Sequence, residues 1–500
     1  MQHPFLKIFP MNYLYSLSDS WSSFFVVLNV IYLTTAIIVA ISVMLDNRNP
    51  TKTISWVVVL FVLPILGLIL YFLIGKNYRK EKIFSRKGLM DFEHIDNLID
   101  QQINKIMGED FIKNEKILTK LPIIKLLLNN SKALLTTRNH VQILNNGKQT
   151  FKSIISELNN AKNHIHLEYY IIDDDKIGNE LRAVLIRKSK EGVKVRIIAD
   201  DVGSWKLGKK YINSLKDAGV ELYPFMPVRF PFIANRINYR NHRKIIVIDG
   251  RVGFVGGINI ADRYIHGNAD IPFWRDTHLK IRGEAVNSLQ VVFLTDWHFV
   301  SGKVVSSHSY LPKSKIQSKQ LVQIIASGPD SDWASIMQAY FSAISTAKDY
   351  IYIAVPYFIP NESILTALKT VSLSGVDVRI IIPGKTDSFF AFHGTQSYIE
   401  ELLEAGIRVY SYQKGFLHSK LIIVDDVFAS IGTANMDIRS FDDNFEINAL
   451  IYDEKLCDEL KESFIKDLLN CNEIDIELHR KRSFSIKLSE SFARIFSPLL

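Results

Sequence analysis

The chain begins with two long apolar stretches, before any regular alternation of hydrophobic and polar residues appears. Residues 22–45 and 54–75 carry no charged side chain, and each is long enough for a helix to cross a bilayer, which takes roughly 20 residues. Pro64 and Gly67 interrupt the second stretch, but both residue types are tolerated in membrane helices. The short segment between the stretches predicts a transmembrane helical hairpin, preceded by an N-terminal segment at 1–21.

Basic residues follow the second apolar stretch and predict the orientation of the hairpin. Lysine and arginine accumulate on the cytoplasmic side of membrane helices. We therefore expect the hairpin to be a multi-pass membrane anchor and the rest of the chain to lie in the cytoplasm. The connector at 76–135 continues with charged residues in a helical pattern. The cations nearest to the apolar stretch are Lys76, Arg79, Lys80, Lys82, Arg86 and Lys87.

Beyond residue 136, β-branched apolar runs alternate with helical segments, and this alternation occurs twice. It is typical of an α/β fold. Val193–Ile198, for example, is similar to Val376–Ile381. We therefore predict two similar halves at 136–310 and 320–475, related by pseudo-two-fold symmetry.

The tail at 476–500 alternates basic and apolar residues. This pattern fits an amphipathic helix at the membrane interface. It fits equally well an ordinary helix packed on the preceding domain.

One combination of polar residues occurs in both halves at identical spacing. A histidine is followed by a lysine, an aspartate, a glycine and an asparagine. One histidine near a lysine carries little information, but the same extended pattern twice indicates that each half supplies part of one active site. The first copy is His242, Lys244, Asp249, Gly256 and Asn259, and the second is His418, Lys420, Asp425, Gly432 and Asn435.

These residue types suit phosphoryl transfer that needs no metal and no cofactor. Two histidines can divide the roles of nucleophile and general acid–base, and two lysines can neutralise the charge that develops on a phosphodiester. His242 and Lys244 would share a face if both lay on one strand. Asn259 and Asn435 are predicted to bind substrate by donating hydrogen bonds to a phosphate oxygen.

The two aspartates of the motif allow two interpretations. We group Asp249 and Asp425 with the catalytic residues because they belong to the repeated pattern. Their odd offset from the histidine places them at the strand end, however, where they would brace a turn rather than touch substrate.

Two further carboxylates follow the motifs and are grouped with the substrate site. Asp276 and Glu446 could each hydrogen-bond an imidazole and fix its tautomer, or they could be solvated carboxylates at strand ends.

Other polar pairs are also open to two interpretations. His164 and His166 resemble a metal-ligand pair, but the polar face of a strand is the favoured interpretation, and no metal site is predicted. Asp200 and Asp201 follow an apolar strand, and either acid–base chemistry or a structural role at the loop suits them.

Composition narrows the class of partner. The net charge of +8 suggests an acidic partner, either nucleic acid or anionic lipid. The two apolar stretches favour lipid, and no basic–aromatic groove for nucleic acid is evident. The only cysteines, Cys457 and Cys471, cannot form a disulfide framework, which fits a reducing compartment.

The repeated pattern resembles the signature of the phospholipase D superfamily, and further segments resemble its bacterial cardiolipin synthases. The resemblance implies an enzyme of the bacterial cytoplasmic (inner) membrane that condenses two phosphatidylglycerol molecules to cardiolipin and glycerol through a phosphohistidine. By analogy His242 attacks phosphorus and His418 is the acid–base, although the two roles could be exchanged. The segments that carry the narrower resemblance are Arg240–Lys244, Gly256–Asn259, Phe273–Asp276, Pro356–Phe358, Leu417–Lys420 and Ser497–Leu500.

Other functions remain as alternatives at this point. A membrane-anchored phospholipase D-type hydrolase or a nuclease would use the same motif, and a non-catalytic membrane scaffold would need neither histidine. The sequence leaves open the choice of acceptor, the oligomeric state, and the roles of the connector and the tail.

Overall fold

The computed structural model describes a short N-terminal unit and a large C-terminal unit. The residues described are 11–46, 50–63, 65–71, 114–228, 239–305, 307, 309–385, 388–495 and 497. The start of the N-terminal segment, the basic run at 76–87, most of the connector and the last three residues lie outside them.

The N-terminal unit is helical, as the apolar stretches predict. Helix α1 spans Met11–Asp46, α2 spans Pro50–Val62 and α3 spans Leu66–Leu70. Among the described residues, one helical segment, Val26–Leu45, is long and apolar enough to cross a membrane. The second apolar stretch is divided between α2 and α3 rather than forming one continuous helix.

Close packing and exposed apolar side chains coexist in this unit. Val43 and Leu60 join α1 to α2 in a small buried cluster. A Cβ atom on Gly67 would lie 2.5 Å from the carbonyl oxygen of Val59, so the glycine permits α3 to approach α2. Apolar side chains such as Ile38, 62% exposed, point away from the cluster, as expected for a surface that faces lipid.

The first half of the C-terminal unit is a mixed sheet with helices packed on it. The strand order is β2-β9-β7-β6-β3-β4-β5. The elements are β2 (Asn139–Asn145), α6 (Asn146–Asn159), β3 (His164–Tyr169), α7 (Lys176–Lys190), β4 (Lys194–Asp200), α8 (Lys209–Asp217), β5 (Glu221–Phe225), β6 (Lys244–Ile248), β7 (Val252–Gly256), α9 (Arg263–His266), β8 (Trp274–Arg275), β9 (Thr277–Gly283) and α10 (Ala285–Ser301), preceded by α4 (Glu115–Leu118), α5 (Leu121–Ser131) and β1 (Leu135–Thr136).

The second half repeats this sheet and adds one strand at each edge. Its order is β1-β10-β19-β17-β16-β11-β13-β14-β20. The elements are β10 (Leu321–Ser327), α11 (Ser335–Ser345), β11 (Tyr350–Ala354), β12 (Phe358–Ile359), α12 (Glu362–Leu373), β13 (Asp377–Pro383), α13 (Phe389–Gln396), α14 (Ile399–Glu404), β14 (Arg408–Tyr412), β15 (Phe416–Leu417), β16 (Leu421–Val424), β17 (Phe428–Gly432), β18 (Met436–Asp437), α15 (Ile438–Asp442), β19 (Glu446–Tyr452), α16 (Glu454–Leu468), β20 (Cys471–Glu473), α17 (Ile476–Arg480) and α18 (Phe484–Ile495).

The predicted pair of similar α/β halves is confirmed, and the apolar runs explain how they associate. Strands β6 and β16 are buried along their whole length, as strands covered on both faces must be. In β6, Ile246 packs under the helices of its own half, whereas Ile245 packs in a core shared with the other half. In β16, Ile422 packs under the helices of its own half, and Ile423 packs in the shared core. Alternating side chains therefore join the two sheets back to back.

The described end of the connector belongs to the second half. Strand β1 pairs with β10. Lys120, between α4 and α5, is fully buried, and its Nζ lies 2.8 Å from Oδ2 of Asp425. The connector thus supplies a structural counter-charge to the second motif.

Replacing Lys120 with methionine should lower the free energy of unfolding by about 3 kcal/mol, because it leaves a largely buried carboxylate without its cation. Denaturant titration of the detergent-purified protein, followed by tryptophan fluorescence, measures this change. The control is Lys148→Met at an exposed site. Equal stability of the two variants would contradict the structural role of the ion pair.

The tail packs through its charges and leaves apolar side chains exposed. Arg494 donates to Glu401 at 2.7 Å and Arg480 to Glu400 at 3.2 Å. Phe484 and Ile495 on α18 are 80% and 72% exposed. Both sequence interpretations of the tail therefore keep support, since it packs on the domain and also presents an apolar surface.

Candidate active site

The two motif histidines are held by the opposite half rather than by the strands that follow them. His242 precedes β6 and donates its backbone N–H to the carbonyl of Phe445 at 2.9 Å. His418 lies between β15 and β16 and donates in the same way to Arg275 at 2.7 Å. The histidines therefore lie ahead of the regular strands rather than on them, because this backbone pairs across the two halves. The motif lysine still lies on the same side as the histidine, since Nζ of Lys420 is 3.0 Å from Nδ1 of His418.

Each imidazole contacts a buried carboxylate from the other half. Nδ1 of His242 lies 2.9 Å from Oε1 of Glu446, and Nδ1 of His418 lies 2.7 Å from Oδ2 of Asp276. Both carboxylates are at most 1% exposed, so neither is a solvated strand-end group. The residue before each carboxylate is the one that holds the histidine backbone, which makes the crosswise arrangement symmetrical.

The residue after the motif glycine differs between the two copies because it contacts a different carboxylate in each. Thr433 donates its hydroxyl to Oε2 of Glu446 and so fixes that carboxylate. Gly257 occupies the corresponding position in the first copy, where a Cβ atom would lie 2.3 Å from Oδ1 of Asp276. The glycine therefore leaves room for the Asp276 carboxylate.

The two lysines turn back toward the histidines. Nζ of Lys244 donates to the carbonyl of His242, and Nζ of Lys420 to the carbonyl of His418, both at 2.7 Å. The pKa of Lys244 is lowered to about 7, chiefly by burial; the charge of Lys420 acts in the same direction, and Glu446 opposes both. Two buried cations in one site thus destabilise each other until an anion binds.

Burial favours the neutral form of both histidines. Burial lowers the pKa of His242 to about 4, although Glu446 opposes this effect. Burial also holds the pKa of His418 well below its usual value, and the neighbouring charges of Lys420 and Lys244 add to this.

The two carboxylates differ from each other. Burial raises the pKa of Asp276 to about 6. Burial acts on Glu446 in the same direction, but His242 and Lys244 outweigh it and keep the pKa of Glu446 below its usual value. An ionised Glu446 can only accept, so the proton of neutral His242 lies on Nδ1 and its Nε2 carries a free lone pair.

Both histidines line one cavity of about 580 Å³. Asn259 and Asn435 line it as well, although Nδ2 of Asn259 donates to the hydroxyl of Tyr264 at 2.6 Å. Oδ1 of Asn435 is buried and has no hydrogen-bond partner among the residues that the structure describes. The cavity thus joins the histidines and asparagines of both copies at one place.

Asp249 and Asp425 are not among the cavity-lining residues. The Asp249 carboxylate accepts from the backbone N–H groups of Lys162, Asn163 and His164 at 2.7–2.9 Å. Asp425 accepts from the corresponding segment before β11 and from Lys120. These contacts support the turn-bracing interpretation and correct the grouping of both aspartates with the catalytic residues.

The remaining polar pairs have structural contacts. His164 and His166 both contact Oε1 of Gln290 at 3.1 Å, and no group of metal-ligating side chains occurs in the part of the chain that the structure describes. Asp200 accepts from the backbone N–H of Asn241 at 2.9 Å, and Asp201 accepts from a loop N–H.

Two supporting residues flank His242 and were missed from the sequence. Asn241 donates to Oε1 of Glu168 at 2.6 Å, and buried Arg243 pairs with Asp296 and donates to the backbone carbonyl of Glu446. They have no counterparts in the second copy, where Leu417 and Ser419 flank the histidine. Because they are not repeated, comparing the two copies of the motif could not identify them as supporting residues.

Comparison with known protein families gives two matches. The model described as "Cardiolipin synthase, PLD-like domain" matches residues 154–297 and 340–468. The model described as "Phospholipase_D-nuclease N-terminal" matches residues 35–76. Together the matches include both motif copies, the second apolar stretch and the end of the first.

Curated relatives match nearly the full length of the chain. A protein of Halalkalibacterium halodurans named cardiolipin synthase is 47% identical, with 97% of each chain covered. One of Bacillus anthracis named cardiolipin synthase 2 is 45% identical, with 94% of this chain and 91% of the relative covered. A protein of Staphylococcus epidermidis, also named cardiolipin synthase 2, is 40% identical, with 94% of this chain and 96% of the relative covered.

A solved structure supports the fold alone. Phosphatidylserine synthase of Haemophilus influenzae Rd KW20 matches with a TM-score of 0.57 at 15% identity. The match covers 76% of this chain and 100% of that one.

Proposed function

Because this chain belongs to the cardiolipin synthase family with phospholipase D-like domains, we propose that it condenses two phosphatidylglycerol molecules to cardiolipin and glycerol. The observation that carries the proposal is the cavity that joins His242 and His418, each with a carboxylate from the opposite half. A nucleophile and an acid–base on two sides of one phosphodiester suit transfer in two steps.

In the first step, Nε2 of His242 attacks the phosphorus of one phosphatidylglycerol. The P–N bond forms as the P–O bond to the glycerol headgroup breaks, and His418 gives its proton to the departing oxygen. The bound phosphodiester anion offsets the repulsion between His418 and the two lysines, so substrate binding favours the protonated imidazole.

In the second step, the terminal hydroxyl of another phosphatidylglycerol attacks the phosphohistidine. The new P–O bond forms, the P–N bond to His242 breaks, and His418 takes the hydroxyl proton. The products are cardiolipin and glycerol, and both histidines return to their starting forms.

The other residues of the motif hold the phosphate and the histidines. Lys244 and Lys420 neutralise the non-bridging oxygens, and Asn259 and Asn435 add hydrogen bonds from the cavity wall. Asp276 and Glu446, grouped with the substrate site from sequence, act instead as positioning residues through their contacts with the imidazoles.

The protein is membrane-associated, and we propose a multi-pass anchor in the bacterial cytoplasmic membrane with the C-terminal unit on the cytoplasmic side. The exposed apolar side chains of the N-terminal unit support the anchor. The basic residues between 76 and 87 support the orientation. The exposed apolar side chains of α18 would give the domain a second contact with lipid.

The alternative is hydrolysis by the same site, with water as the acceptor. One incubation separates the two reactions: detergent-purified protein with phosphatidylglycerol and a chelator, followed by mass spectrometry of the lipids. We expect cardiolipin and glycerol in equal amounts. Phosphatidic acid without cardiolipin would overturn the proposal in favour of the hydrolase.

The alkaline limit of phosphatidylglycerol binding should be set by Lys244. Its lowered pKa means that the charged form is lost as the pH rises through about 7, so KM for phosphatidylglycerol should rise above that pH. The acid limit should lie well below 6.5, because burial keeps the pKa of the His242 nucleophile near 4. A pH–rate profile measures both limits.

A matched variant tests the assignment to Lys244. Lys244→Arg retains a charge at all these pH values, so its alkaline limit should move upward. If the alkaline limits of wild type and variant coincide, another group is responsible.

A further inference from the structure

The repeat extends beyond the motif to a pair of arginines. Arg263 follows Asn259 at the same distance as Arg439 follows Asn435, and both arginines line the cavity. The charges of the motif lysines are already assigned to the reacting phosphate, so the two arginines are further cations in the cavity wall.

The two arginines differ in how their charges are balanced. NH1 of Arg263 lies 2.8 Å from Oδ2 of Asp173, an ion pair that fixes it in the cavity wall. Arg439 has no carboxylate within ion-pair distance among the described residues, and it is partly exposed. Asp437 also lines the cavity, but its carboxylate accepts the backbone N–H of Ser440 at 2.6 Å and caps α15. Among the described residues, Arg439 is therefore a cation of the cavity wall that no carboxylate neutralises by an ion pair.

Arg439 belongs to the second half, but it lines the same cavity as His242 and as Tyr170, whose ring centroid lies 5.1 Å from that of His242. Arg263 lines this cavity as well, next in the chain to Tyr264, whose ring centroid lies 5.5 Å from that of His418.

The chemistry of the acceptor supplies an anion for this cation. Each transfer involves one phosphate that reacts and, when the acceptor is phosphatidylglycerol, a second phosphodiester that does not react. Water and free glycerol bring no such anion. We propose that Arg439 binds the non-reacting phosphodiester of the acceptor lipid and so selects a lipid over water or glycerol. A guanidinium is suited to this because it presents paired donors to two phosphate oxygens.

The inference rests on the proposed function, and two reactions of the same enzyme test it. Cardiolipin formation needs the acceptor phosphodiester. Exchange of labelled glycerol into phosphatidylglycerol uses the same donor and the same phosphohistidine, but its acceptor has no phosphate. We would measure both rates for wild type, Arg439→Gln, Arg439→Lys and the exposed control Arg251→Gln.

The expected result is a selective loss. Arg439→Gln should lower kcat/KM for cardiolipin formation about 10- to 100-fold more than it lowers glycerol exchange. It should also raise the share of phosphatidic acid formed by water. Arg439→Lys should recover part of the loss, and Arg251→Gln should resemble wild type.

Equal losses in both reactions for Arg439→Gln would overturn the proposal, because they would place Arg439 on the reacting phosphate. No loss in either reaction would overturn it as well. Failure of the proposed function has a separate signature, since wild-type protein would then form no cardiolipin at all.

Discussion

Replacing either His242 or His418 with alanine should reduce cardiolipin formation by on the order of 10⁴-fold or more, since residues that act as one unit lose nearly all activity when either is removed. The expectation follows from the single cavity that both histidines line. Two independent sites would instead leave about half of the activity in each variant. Initial rates with phosphatidylglycerol in mixed micelles measure the loss.

The control for the histidine variants is His140→Ala, on an exposed position of β2. It should retain wild-type turnover. If His242→Ala or His418→Ala also retained near-normal turnover with an intact thermal transition, the account of one shared site would be wrong.

Exchanging either crosswise carboxylate for its amide should cost about 10²- to 10⁴-fold in kcat, with a smaller change in KM. In Glu446→Gln the amide can donate to Nδ1 of His242 and stabilise the tautomer whose Nε2 is protonated, which cannot attack phosphorus. In Asp276→Asn the imidazolium form of His418 loses its counter-charge. Glu459→Gln, on the exposed face of α16, is the matched control.

A particular pH response distinguishes positioning from a merely structural role. Loss of Glu446, which favours the charged imidazole, should lower the pKa of His242 further and shift the acid limit of kcat/KM downward. An unchanged pH profile with a lowered melting temperature would mean that the carboxylate only stabilises the fold.

The two halves can be predicted from the sequence because each strand is identified by its own run of residues, and because the motif occurs twice. Runs such as Lys244–Ile248 and Leu421–Val424 are apolar on both faces, which identifies strands covered on both sides. The offsets within the motif indicate two matching contributions to one site. Asp249 and Asp425 were also interpretable locally, because a strand-end position suits a turn.

The crosswise contacts could not be predicted because they join distant residues. His242 and Glu446 are 204 positions apart, and His418 and Asp276 are 142 apart. No periodicity connects residues at such separations, so two candidate carboxylates could be identified, but not the histidine that each one contacts. The position of His242 ahead of β6 was missed for the same reason, since its backbone partner is Phe445 in the other half.

The central claim, that a phosphatidyl group passes through His242 while His418 moves the proton, can be tested with phosphatidyl-4-nitrophenol. This donor has a leaving group that needs no protonation and brings no acceptor hydroxyl. In His418→Ala we predict a burst of nitrophenolate equal to the amount of enzyme. Peptide mass spectrometry after alkaline denaturation should then find the phosphatidyl group on His242. A burst from His242→Ala, or nitrophenolate release from His418→Ala without an adduct on His242, would contradict the account.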